Sequence, residues 1–194
     1  MIQPVVALGN KVLRKTCLAI ERESDESTKL INDLWETLRK SDGVGLAAPQ
    51  IGKALQAFIV DTSPVFMQEG DEEKAELFPE GTALTETFIN ATIINKSDKK
   101  WTDYEGCLSI PEIYEQVERS WTITINYLDA QFQSQEKTFS GYNAKVIQHE
   151  FDHTQGKLFI DYISPLRRKL LRARFEKIIK GKVKTSYAMF VTNK

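Results

Sequence analysis

The chain reads as an α+β protein: antiparallel β-strands packed around a central helix that carries HEFDH (149–153), with an N-terminal and a C-terminal helix. Three observations predict this. Strand-like alternation is concentrated in the middle of the sequence rather than interleaved with helices. Helical periodicity with recognisable start and stop residues flanks it on both sides. No linker, repeat or low-complexity stretch divides residues 1–194, so one domain is expected.

Over residues 27–40, Leu30, Ile31, Leu34, Trp35 and Leu38 form one apolar stripe at helical spacing, stopped by Asp42 and Gly43. A glycine-rich run, GVGLAAPQIG, fills 43–52, and Phe58, Ile59 and Val60 read as a short buried strand. Residues 62–82 lose periodicity and carry Glu69, Asp71, Glu72, Glu73, Glu76 and Glu80, which predicts a solvated acidic insertion loop. Strand signals return at 87–94 and are clearest at 121–127, where Trp121, Ile123, Ile125 and Tyr127 alternate with polar residues. A hairpin partner is expected over 131–139. A helix then runs from about 142 to 155 and stops at Gly156. The last helix starts with Ser164 as N-cap and Pro165 at N1 and ends near Gly181. Leu166, Leu170, Phe175 and Ile178 should dock it on the core, leaving a face rich in Arg and Lys.

Composition excludes several function classes. A net charge of −1 rules out a chain built as a whole to coat nucleic acid or an anionic membrane. No apolar run approaches the roughly 20 residues needed to span a bilayer, and the opening residues lack the pattern of a signal peptide. Two cysteines, Cys17 and Cys107, with no CxxC pair, suit a reducing compartment, so the cytoplasm is expected.

The chemistry concentrates at 149–153. On a helix, positions i and i+4 share a face, so the imidazoles of His149 and His153 can meet one metal ion. Glu150 is then placed to hold a water beside that metal. These are the only two histidines in the chain, which weighs against a chance pair of surface residues. Two histidines need a third protein ligand. Downstream the only acids are Asp161 and Glu176, and there is no further His. Cys107, in EGCLSIP, is the better candidate, although a lone cysteine is usually a small buried hydrophobe. The run at 43–52 lacks GK[ST] and GxGxxG, so a phosphate cradle is disfavoured against a tight turn or a close backbone approach.

Three segments, GVGLAAPQ (43–50), EGCLS (105–109) and HEFDH (149–153), resemble in order and spacing the signature motifs of peptide deformylases. The resemblance extends from VLRK (12–15) to SPL (164–166). It implies that Cys107, His149 and His153 bind one divalent metal, usually ferrous iron in the family with zinc, nickel or cobalt as substitutes. It implies that Glu150 moves the proton, that the Gln50 amide and the Leu108 backbone N–H stabilise the oxyanion, and that formate leaves an N-formylmethionyl peptide. Gly43, Val44, Gly45 and Gly106 would line an extended substrate, and Val44 with Val146 would receive the methionine side chain. The basic C-terminal helix would face the ribosome near the nascent-chain exit.

Two departures stand out. Tyr114 occupies a position where many members carry an Arg that contacts the substrate, and the 62–82 insertion is longer than in the shortest members. Two other readings compete: a zinc endopeptidase that shares HExxH, and a non-catalytic ribosome- or nascent-chain-binding relative.

Overall fold

A computed structural model describes residues 1–192. Strand β1 (Val5–Val6) leads into helix α1 (Asp25–Leu38), which begins at a reciprocal cap. The Ser24 hydroxyl accepts from the Ser27 N–H at 3.2 Å and the Ser27 hydroxyl accepts from the Ser24 N–H at 2.8 Å. The apolar stripe of α1 is as expected: Leu30, Ile31, Leu34 and Leu38 are buried, with Trp35 packed beside them.

Five strands form one sheet in the order β2 (Gly45–Ala47), β3 (Ala57–Asp61), β4 (Thr85–Lys96), β7 (Thr122–Leu128) and β8 (Ser134–Ser140), every pairing antiparallel. Register shifts in the β4–β7 ladder follow Asn90, whose φ is +51°. The side chain of Asn90 is bonded to both the N–H and the carbonyl of Ile20, which pins the segment before α1 to the sheet. Helix α4 (Gly141–Thr154) lies across this sheet, where Ala144, Val146 and Ile147 share a core with Phe58, Val60, Phe88, Ile123 and Ile125. Twelve of its fourteen residues are buried, so α4 is enclosed on nearly all sides and its polar residues need partners.

A hairpin of β5 (Lys100–Cys107) and β6 (Ile110–Ser120) forms a separate antiparallel pair. Its register is regular from Lys100↔Ser120 to Glu105↔Glu115 and then shifts to Cys107↔Ile110, with Glu112 at φ +64°. The inner face of β6 packs Ile110, Ile113 and Val117 against Leu158, Phe159 and helix α5 (Pro165–Ile179). The Ser164 hydroxyl caps α5 as the sequence indicates, and Gly156 closes α4 at φ +70°. A final strand, β9 (Met189–Phe190), pairs with β1 in parallel, a long-range contact that the sequence pattern did not signal. Among the described residues, no helix is long and apolar enough to cross a membrane.

Two expectations need correction. The 62–82 stretch is not a loop but carries two short helices, α2 (Ser63–Gln68) and α3 (Asp71–Leu77). Pro64 in the first turn of α2 is the start signal of a helix too short to show a period, and the three acids in the first turn of α3 are a start signal that merges into the charge run. Just beyond α3, Phe78 is buried against Phe66 and Tyr142, which anchors the insertion to α4. The docking stripe of α5 is also displaced. Leu166 and Leu170 are exposed, whereas Leu171 and Ile178 are buried with Phe175 packed against the core. Positions 171, 175 and 178 repeat at i, i+4 and i+7, a helical stripe as regular as the one first read.

Candidate metal centre

Two elements bring the ligand candidates together. Helix α4 presents His149 and His153 one turn apart, and the last residue of β5 delivers Cys107 from the hairpin. The ligand atoms of Cys107, His149 and His153 all lie within 4.8 Å of one another. The Cys107 Sγ is 3.3 Å from the His153 Nε2. A soft thiolate with two imidazoles suits zinc or ferrous iron. The Glu150 Oε2, beside the cleft, is buried with no hydrogen-bond partner, so the site holds a polar atom with nothing yet to bind; the His153 Nδ1, on the ring edge away from Cys107, is unpartnered too. The residues therefore fit a bound metal.

Gln50 comes from a single 3-10 turn (Ala48–Ile51) that follows β2. Its Oε1 accepts from the Ala47 N–H at 2.8 Å, which directs the Nε2 toward the Cys107 Sγ at 3.5 Å and the Ser109 Oγ at 3.4 Å. Leu108 forms the tip of the β5–β6 turn beside these groups. The glycines mark close approaches. A Cβ on Gly45 would sit 2.6 Å from the Glu150 Oε1, one on Gly43 would sit 2.8 Å from the Leu108 Cδ1, and one on Gly106 would sit 2.5 Å from the Tyr114 ring. A larger residue at any of the three would push a site side chain, Leu108, Glu150 or Tyr114, out of its present place.

These residues surround a cleft of about 630 Å³ that also includes Val44 and Val146 in its walls, with exposed Tyr114 at the rim. Every site residue expected from the sequence thus lies at or beside this cleft. Others were missed. Val65 of α2, Lys145 of α4 and the segment 184–187 near the C-terminus line it too.

Behind the ligands lies a buried charge network that the sequence reading also missed. The His149 Nδ1 is 2.8 Å from the Glu105 Oε2. The Arg119 guanidinium makes a two-point contact with Glu105 at 2.7 and 3.0 Å and reaches Asp152 at 2.5 Å. Burial opposes ionisation of Glu105, but Arg119 and His149 outweigh it and hold its carboxyl well below the usual range. Burial likewise opposes charge on His149, yet hydrogen bonds to Cys107 and Glu105 raise it well above its ordinary value. His153 has no such partner, and burial with the neighbouring His149 holds it well below. Burial pushes Glu150 up to about 7. One signal could have revealed the network: the alternation of β6 puts Arg119 on the same inward face as Ile113 and Val117, where an unpaired arginine would be costly.

A cysteine sulfur and two imidazoles converging beside a buried glutamate, at the floor of an open cleft, are the donor set of a metal-dependent hydrolase. A sequence model of the polypeptide deformylase family matches residues 2–169, and the chain belongs to that family. It is 40% identical over 194 residues to a peptide deformylase of Christiangramia forsetii, covering 100% of this chain and 97% of that protein. Among solved structures, a peptide deformylase from Legionella pneumophila matches with a TM-score of 0.78 at 32% identity, covering 94% of this chain and 98% of that one. One from Ehrlichia chaffeensis matches at 0.80 with 28% identity, covering 94% and 97%. The endopeptidase and non-catalytic readings are not favoured by these matches.

Proposed function

We propose that this chain hydrolyses the N-terminal formyl group of N-formylmethionyl nascent peptides, releasing formate and a free amine. The observation that carries the reading is the convergence of Cys107, His149 and His153 within 4.8 Å beside the buried carboxyl of Glu150. Bound to these three residues, a divalent ion, ferrous iron in the cell with zinc, nickel or cobalt as substitutes, would make water nucleophilic near neutral pH and polarise the formyl carbonyl.

The chain's own groups supply the rest. Glu150 accepts the proton of the attacking water and returns it to the leaving amine. The Nε2 of Gln50 and the N–H of Leu108 donate to the oxygen that becomes negative as the formyl carbon turns tetrahedral. The peptide enters as an added strand against Val44, Gly45 and Gly106, with Gly43 leaving room for the Leu108 side chain. The methionine side chain packs against Val44 and Val146, and Tyr114 borders the path of the following residues. Residues from Gly43 to Tyr187 around one cleft support treating 1–194 as a single catalytic unit. Two free cysteines suit a cytoplasmic setting.

The test is formate release from formyl-Met-Ala-Ser under anaerobic conditions, with metal analysis of the same sample. Glu150→Ala should lower kcat by about 10²–10⁴-fold while the metal stays bound; normal turnover in that variant would overturn the mechanism. On α5, Arg168, Lys169, Arg172, Arg174 and Lys177 all face solvent, which supports ribosome contact near the exit. Co-sedimentation with ribosomes should weaken as salt rises and after reversing these charges; binding indifferent to both would remove that role.

A further inference from the structure

Residues 184–187 lie beyond the 2–169 stretch that the family model matches, yet they line the catalytic cleft. They arrive there because Gly181, at φ +65°, turns the chain back after α5, and because β9 pairs with β1 immediately afterwards. Two consecutive side chains then bond to opposite sides of the site. The Tyr187 hydroxyl donates to the Leu108 carbonyl at 2.8 Å. The Ser186 hydroxyl donates to the Asp42 Oδ2 at 2.6 Å, one residue before the Gly43–Gly45 wall. A third bond, from the Thr185 hydroxyl to the Tyr187 carbonyl at 2.6 Å, folds the segment on itself.

The point of attachment matters. Leu108 and Ser109 are the whole turn between β5 and β6, and such turns are mobile unless tied down. Here the turn is held from two directions: the Ser109 carbonyl accepts from the Leu8 N–H at 2.9 Å, and the Leu108 carbonyl accepts from Tyr187. The Leu108 side chain also abuts the Gly43 backbone, so the two walls of the cleft touch where the segment bridges them.

We propose that residues 184–187 form a strap that sets the geometry of the cleft. Tyr187 is a positioning residue for the Leu108 turn, and Ser186 fixes the wall that carries Gly43, Val44 and Gly45. The inference rests on the deformylase reading above, in which the Leu108 N–H meets the developing oxyanion and the Gly43–Gly45 edge receives the peptide. Holding the Leu108 carbonyl fixes the peptide plane next to that N–H, and sub-ångström placement of such a donor is what its contribution depends on. The two anchors therefore act on different kinetic parameters, Tyr187 on the chemical step and Ser186 on substrate binding.

The experiment uses the full, metal-loaded chain with formyl-Met-Ala-Ser as substrate and hydrogen exchange at the Leu108 and Ser109 amides as an independent readout. Tyr187→Phe keeps the ring and removes only the hydroxyl. It should lower kcat about tenfold, leave KM and metal content nearly unchanged, and speed exchange at the turn. Ser186→Ala should raise KM with little change in kcat, and Ser186→Thr, which keeps a hydroxyl, should restore it. Unchanged exchange in Tyr187→Phe overturns the strap whatever happens to turnover, and so does wild-type KM in Ser186→Ala. If the wild-type chain itself releases no formate, the deformylase reading fails, and the exchange rates alone then decide for or against the strap.

Discussion

On one side of the cleft, α4 and the β5–β6 hairpin hold Glu105, Arg119, Asp152, His149 and His153 almost wholly out of water, with Arg119 paired to Glu105 and Asp152 and Glu105 paired to His149. On the other side, α2, α3 and the 184–187 strap stand half in solvent. They are held by the buried ring of Phe78 and by single hydrogen bonds from Ser186 and Tyr187. The inner wall is costly to disturb because removing one member strands buried charge. Among the described residues the outer wall holds no such buried ion network, so a change there costs packing or a single hydrogen bond and strands no charge. Glu150 and the ligand candidates thus sit where losing a neighbour strands charge, while the insertion and the strap reach the site from its rim.

The sharpest way to break this contrast is Arg119→Met. Glu105 and Asp152 would be left buried without their cation, and stability should fall by about 3–5 kcal/mol. Metal affinity should fall about 10–100-fold with it, because Glu105 would no longer be held against His149. Thermal unfolding and metal titration measure both, and a variant that keeps wild-type values would show the network to be dispensable. The counterpart on the outer wall is Phe78→Ala, which opens a cavity between the insertion and Tyr142 of α4. It should cost about 3 kcal/mol and leave metal affinity unchanged. Loss of the metal in that variant would mean that the two walls are coupled more tightly than their contacts suggest.

What the sequence disclosed follows the same division. His149, Glu150 and His153 are legible because one helical turn fixes their relations, and Cys107 is reached because a two-histidine site still needs a ligand. Helices α1, α4 and α5 announce themselves through caps and stops: Ser164, Pro165 and Gly156 are where a local reading puts them. The β5–β6 hairpin escaped notice because β5 carries charged and aromatic residues on both faces, so no clean alternation marks it. Helix α3 was masked by its charges, and α2, six uncharged residues long, is too short to show a helical period. The wrong stripe was read on α5 because adjacent leucines, Leu170 and Leu171, serve two helical registers equally well, and only contact with Ile113 and Val117 selects between them. Ser186 and Tyr187 carry no local signal at all; their partners, Asp42 and Leu108, are distant in the chain.

That distance has a kinetic side. The ligand set and its charge network come from β5, β6 and α4, and the contacts of the hairpin with the helix span 33 to 46 residues. The β1–β9 pairing joins Val5 to Met189 and so closes nearly the whole described chain into one loop. A closure of such separation carries the larger entropic cost to form. The strap hangs on that closure, so opening at the β1–β9 pair is expected to release it from the cleft, and native-state hydrogen exchange at 184–190 is the measurement that reads it.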